Sequence, residues 1–100
     1  MKSTSKRIER LQKAAEAGDQ EAQYKLGLCY YFGKNGLEED KSRGIAWLKE
    51  AGKAGYEKAQ KKLVEILPDN YFNDSDVIHW LYLYDPSRYD RLCAIHQMMM

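Results

Sequence analysis

At 100 residues, with 44% hydrophobic and 31% charged side chains and a formal net charge of +1, the chain has the composition of a single soluble domain with one small core. The balanced charge gives no reason to expect a nucleic-acid or membrane partner, and no stretch approaches the run of about 18 apolar residues that a membrane span needs. Two cysteines without C-x-x-C spacing, Cys29 and Cys93, suggest neither a disulfide framework nor a zinc site, and the polar, basic N-terminus lacks the apolar run of a secretory signal; a reducing, cytoplasmic setting is expected.

From Ser5 to Ala17 the residues Ile8, Leu11, Ala14 and Ala15 recur at helical spacing, with Ser3, Thr4 or Ser5 as caps and Gly18 as a left-handed stop. Asp19 caps a second helix with the stripe Ala22, Leu26, Cys29 and Tyr30, ending at Gly33. So short a connection requires the two helices to be antiparallel neighbours. The GKNG turn at 33–36 needs positive φ, and Glu38, Glu39 and Asp40 then stand at the favourable end of a third helix. That helix, about Lys41 to Ala54, carries Ile45, Leu48, Ala51 and Gly52, flanked by Trp47, and stops at Gly55.

A fourth helix, Glu57 to Leu67, carries Ala59, Leu63, Val64, Ile66 and Leu67, and Pro68 ends it. Val77 to Tyr84 is the most apolar stretch and reads as a fifth helix started by Asp74 or Ser75, with a short strand as the alternative. Asp85 and Pro86 open a sixth, with Tyr89, Leu92, Cys93 and His96 on one side.

The first two helices foreshadow the next two. Ile8, Leu11, Ala14, Ala17, Gly18, Ala22, Gln23 and Leu26 fall over Ile45, Leu48, Ala51, Ala54, Gly55, Ala59, Gln60 and Leu63 at a constant offset of 37 residues. A period of this size means stacked helix pairs, here one unit and half of the next, and such arrays present surfaces to partners more often than they enclose substrates. Gly27, Ala22, Ala51 and Ala59 are small enough for close helix approach, while Leu26, Tyr30, Trp47 and Leu48 fill the space between pairs.

The pattern Leu26, Gly27, Tyr30, Gly33, Gly36, Asp40, Ala46, Trp47, Leu48, Ala51, Gly55, Ala59 and Leu63 resembles the Sel-one-like repeat family, relatives of tetratricopeptide repeats, over residues 8–66. Two departures stand out: an extra residue in the turn, and Gly52 where a second alanine is usual. The resemblance implies an all-α, right-handed superhelical solenoid of antiparallel helix pairs, about six helices in one domain, with 69–100 as divergent capping helices. It further implies a non-enzymatic scaffold or adaptor, without cofactor, that binds a protein or peptide. By analogy with related solenoids, the positions that the repeat leaves free line the binding surface: Glu21, Tyr24, Leu28 and Tyr31 on the second helix, and Lys58, Lys61 and Glu65 on the fourth.

Competing readings concern the remaining features. His79 and His96, with Cys29, Cys93, Asp74 and Asp76, permit the sketch of a small enzyme or metal site, but no flanking motif orients a base or builds an oxyanion hole; the cysteines read better as small core hydrophobes and the histidines as edges of apolar faces. The basic N-terminal cluster of Lys2, Lys6, Arg7, Arg10 and Lys13 reads either as a solvated helix face or as a contact for phosphate or an acidic partner. The aromatic run Tyr71, Phe72, Trp80, Tyr82, Tyr84 and Tyr89 reads as a cap over the last repeat, which makes the protein a monomer, or as an interface for a dimer or partner. An immunity-type inhibitor that caps an enzyme through Asp74 to Asp90 is the alternative function.

Overall fold

The computed structural model describes residues 6–68 and 74–98, with side chains as far as Ala94. Six α-helices account for the regular structure among these residues, with no strand: α1 (Lys6–Glu16), α2 (Gln20–Phe32), α3 (Lys41–Lys53), α4 (Glu57–Ile66), α5 (Ser75–Tyr84) and α6 (Pro86–Met98). The stretch that could have been a strand is thus helical as α5, and Asp74 is its cap, accepting from the Asp76 N–H at 3.0 Å. The expected caps Ser3, Thr4 and Ser5, and the aromatics Tyr71 and Phe72, lie outside the described residues.

The chain forms two compact units, residues 1–60 and 61–100. In the first, α1 packs on α2 and α2 packs most extensively on α3. Ile8, Ala15, Ala22, Leu26, Cys29 and Tyr30 form the buried cluster, with Leu11, Ala14, Leu37 and Trp47 partly buried against it. Burying these side chains supplies the driving force, about 1.5–3 kcal/mol for each large one. Asp19 and Asp40 cap α2 and α3, accepting from the Ala22 N–H at 3.1 Å and the Arg43 N–H at 3.0 Å. Between these helices the backbone enters the left-handed region at Gly33, Asn35 and Gly36, the positive φ that the GKNG turn requires.

The period of 37 residues in the sequence is copied atom by atom at two joints. Gly18 has φ +99° and Gly55 φ +103°. The Asp19 N–H donates to the Ala14 carbonyl at 3.0 Å, and the Tyr56 N–H donates to the Ala51 carbonyl at 3.0 Å. Gln23 Nε2 reaches back to the Ala15 carbonyl at 3.1 Å, and Gln60 Nε2 to the Gly52 carbonyl at 2.8 Å. Each glutamine thereby adds a second donor to a carbonyl at the end of the preceding helix, which also accepts from the joint glycine, Gly18 N–H at 3.1 Å and Gly55 N–H at 3.0 Å.

At the crossing of α2 and α3 the two backbones touch. A Cβ on Gly44 would lie 2.7 Å from both the Gly27 carbonyl oxygen and the Tyr31 nitrogen, and one on Gly27 would lie 2.9 Å from Leu48 Cγ. Gln20 Nε2 binds the Ala54 carbonyl at 2.8 Å, and the Asp40 N–H binds the Tyr30 carbonyl at 2.7 Å. Pairing Gln20 with Ala54, Gly27 with Gly44 and Tyr30 with Asp40 makes the two helices antiparallel.

In the second unit Leu63, Val64, Leu67, Val77, Trp80 and Leu81 are buried, and α5 packs on α6. Asp85 caps α6 by accepting from the Arg88 N–H at 3.2 Å. The Arg88 guanidinium in turn donates to the carbonyls of Val64 at 2.9 Å and Leu67 at 2.7 Å, closing the end of α4. One expectation is corrected here. Cys93 is exposed rather than part of a core, because α6 turns it outward, whereas Cys29 is buried as expected.

Candidate functional site

Glu21, Tyr24, Leu28 and Tyr31 follow one another at three- and four-residue spacing, so α2 carries them on a single face. Ala22, Leu26, Cys29 and Tyr30 take the opposite, buried face, which leaves this stripe partly open to solvent. Tyr24 packs on Tyr56 with ring centroids 5.4 Å apart and planes at 52°. Tyr31 meets Phe32 edge-on at 4.9 Å, and Phe32 is 48% exposed. Cations stand over two of these rings, Lys41 Nζ at 5.6 Å from Tyr31 and Lys34 Nζ at 5.4 Å from Phe32. At the other end Glu21 holds Lys25 at 2.8 Å, and this hydrogen bond and charge raise the Lys25 pKa above its ordinary value.

The result is a ladder of rings and one leucine, with cations at one end and an ion pair at the other. Such a face offers contact area from side chains with few rotatable bonds, which is what docking of a protein segment uses. Tyr56, Phe32, Lys34 and Lys41 complete it and were not among the residues expected from the sequence. Tyr56 had a signal of its own, because it stands at the repeat position of the capping Asp19 and cannot cap.

The residues expected on α4 have different surroundings. Lys58 is exposed in the first unit. In the second, Lys61 Nζ lies 5.6 Å from the Tyr84 ring centroid, and Glu65 contacts Lys62 at 3.5 Å. Lys61 and Glu65 border an open hollow of about 500 Å³ with Val64, Tyr84, Asp85 and Arg88. Arg88 is already engaged there with backbone carbonyls, so the hollow has the character of a helix-end clamp.

His79 is exposed on α5, and the side chain of His96 lies outside the described residues. Cys29 Sγ accepts from Asn35 Nδ2 at 3.3 Å. Cys93 neighbours Tyr89, whose pKa it raises through a hydrogen bond, and Tyr89 stacks edge-on with Tyr82 at 5.2 Å. Among the described residues no group of three or more His, Cys, Asp or Glu could hold a metal ion, and no helix is long and apolar enough to cross a membrane.

Paired antiparallel helices, a joint repeated at a fixed period and an open side-chain ladder define an α-helical repeat protein. Residues 11–19 and 20–56 match the Sel1 repeat family, so this part of the chain is a Sel1-like repeat. Over 56 residues it is 38% identical to the ERAD-associated E3 ubiquitin-protein ligase component HRD3A of Arabidopsis thaliana. That alignment takes in 56% of this chain and 8% of the plant protein. No solved structure matches the chain. Sel1 repeats generally mediate protein–protein contacts and are typically non-catalytic.

Proposed function

We propose that the chain is a non-enzymatic adaptor that binds a protein or an extended peptide on the free face of α2. The observation that carries this reading is the ladder of Tyr56, Tyr24, Leu28, Tyr31 and Phe32, partly exposed along a helix whose other face is fully used in packing. Tyrosine-rich faces supply anchors at low conformational cost. The description of HRD3A as a ligase component fits a role in assembly rather than in chemistry. The proposal places the contact on Tyr24, Leu28 and Tyr31, with Glu21 at the edge, and takes the protein to act as a monomer.

The test is affinity capture from cell extract with the parent protein and with a variant carrying Tyr24→Ala and Tyr31→Ala, followed by titration of each captured partner in purified form. The partner should bind the parent and lose about tenfold or more in affinity with the variant, as expected for truncation of an aromatic anchor. Equal binding to both forms overturns the assignment.

A further inference from the structure

A second surface of the first unit carries a charge arrangement that folding does not explain. Lys6 and Arg7 occupy the first turn of α1, the positive end of its helix dipole, where acidic residues are favoured, and Glu9 alone answers them. Lys6, Arg7 and Arg10 have no acidic partner among the described residues. They line one wall of an open groove of about 610 Å³ between α1 and α2, with Leu11, Ala14 and Ala22 also lining it. Lys25 and Glu21, bound to each other at 2.8 Å, line the facing wall. The remaining acid, Asp19, has one carboxylate oxygen on the Ala22 N–H. The groove therefore combines apolar lining with unanswered positive charge.

We infer that this groove docks an acidic peptide segment of a partner protein, with its carboxylates on Lys6, Arg7 and Arg10 and a small apolar side chain against Leu11 and Ala14. Charge complementarity selects this occupant. Three cations beside an apolar strip, facing Asp19 and Glu21, suit a short acidic chain better than a polyanion with a charge at every step, which the two acids would repel. The groove shares Glu21 with the edge of the α2 face, but neither Tyr24 nor Tyr31 lines it, so loss of one contact is distinguishable from loss of the other.

The experiment follows the fluorescence anisotropy of a fluorescein-labelled peptide of alternating glutamate and leucine titrated with the full chain. Binding is expected, weakening as salt shortens the range of the charges. Reversal of both arginines, Arg7→Glu with Arg10→Glu, should weaken it about tenfold or more while circular dichroism shows the helices intact, and Arg7→Lys with Arg10→Lys should largely retain it. Tyr24→Ala with Tyr31→Ala should leave it unchanged. Four results overturn the inference: no binding, equal binding of the glutamine–leucine analogue, tighter binding of a thymidine oligonucleotide of the same length, or loss of binding in the tyrosine variant. A fifth is sedimentation of the peptide-free protein as a dimer that charge reversal dissociates, which would make the occupant a second copy.

Discussion

The joint between α1 and α2 and the joint between α3 and α4 are the same device built on different side chains. Both turn at a glycine of positive φ, and in both a glutamine binds a carbonyl of the helix before it. Their flanks differ. Leu48, the position ahead of the second joint, is completely buried beneath α2, whereas its counterpart Leu11 is half-buried and borders the basic groove. Asp19 caps α2, while Tyr56, in the same position of the repeat, gives up capping and packs on Tyr24. Backbone bonds and two side-chain types are enough to make the joint, and the positions around them are left for surfaces.

The sharpest way to break this comparison is to truncate the two leucines. Leu48→Ala should lose about 2–5 kcal/mol, the range for a core leucine, whereas Leu11→Ala should lose less, about 1–2 kcal/mol, because Leu11 is only partly buried at the edge of the core. Urea unfolding followed by tryptophan fluorescence gives both values, and equal losses would show that the two flanks are packed alike.

Substituting the glutamines tests whether the shared bonds hold the joints. Gln23→Ala and Gln60→Ala should each lose about 1–1.5 kcal/mol, since each removes one hydrogen bond from a carbonyl that keeps its backbone donor. If one variant unfolds at the parent's urea midpoint, the two joints are alike in geometry only. The smallest effect belongs to the cap. Asp19→Ala should lose about 1 kcal/mol and Asp19→Asn much less, as read from thermal melts, because asparagine still accepts from the Ala22 N–H. A full loss in the asparagine variant would assign the effect to charge rather than to capping.

Much of the fold was legible in the sequence because its determinants are local. Asp19, Asp40, Asp74 and Asp85 mark helix starts, Gly18, Gly33 and Gly55 mark stops, and the spacing of Ala22, Leu26, Cys29 and Tyr30 gives the buried face of α2. Gly44 was missed because its counterpart in the repeat is Arg7, although it lies one turn before Leu48 on the same stripe. The clamp made by Arg88 depends on carbonyls 21 and 24 residues away, beyond the reach of any local pattern. Cys93 was misplaced because α6 has no clear apolar stripe to say which side turns inward. Of the candidate site, the α2 stripe was legible as positions the repeat leaves free. Tyr56 was legible only as a repeat position that had lost its cap, and the cations over the rings were not legible, since Lys34 and Lys41 lie beyond the end of α2.

The backbone contact between Gly27 and Gly44 has a bearing on how a ligand would meet the α2 ladder. At this contact main-chain atoms of the two helices meet directly, with Leu48 and Tyr31 packed beside them, which leaves little room for one helix to slide over the other. The ladder is therefore held on a stiff support, with Tyr24 and Tyr31 already oriented before any encounter. A segment docking there has little to organise in its host, so most of the entropy lost on association falls on the incoming chain.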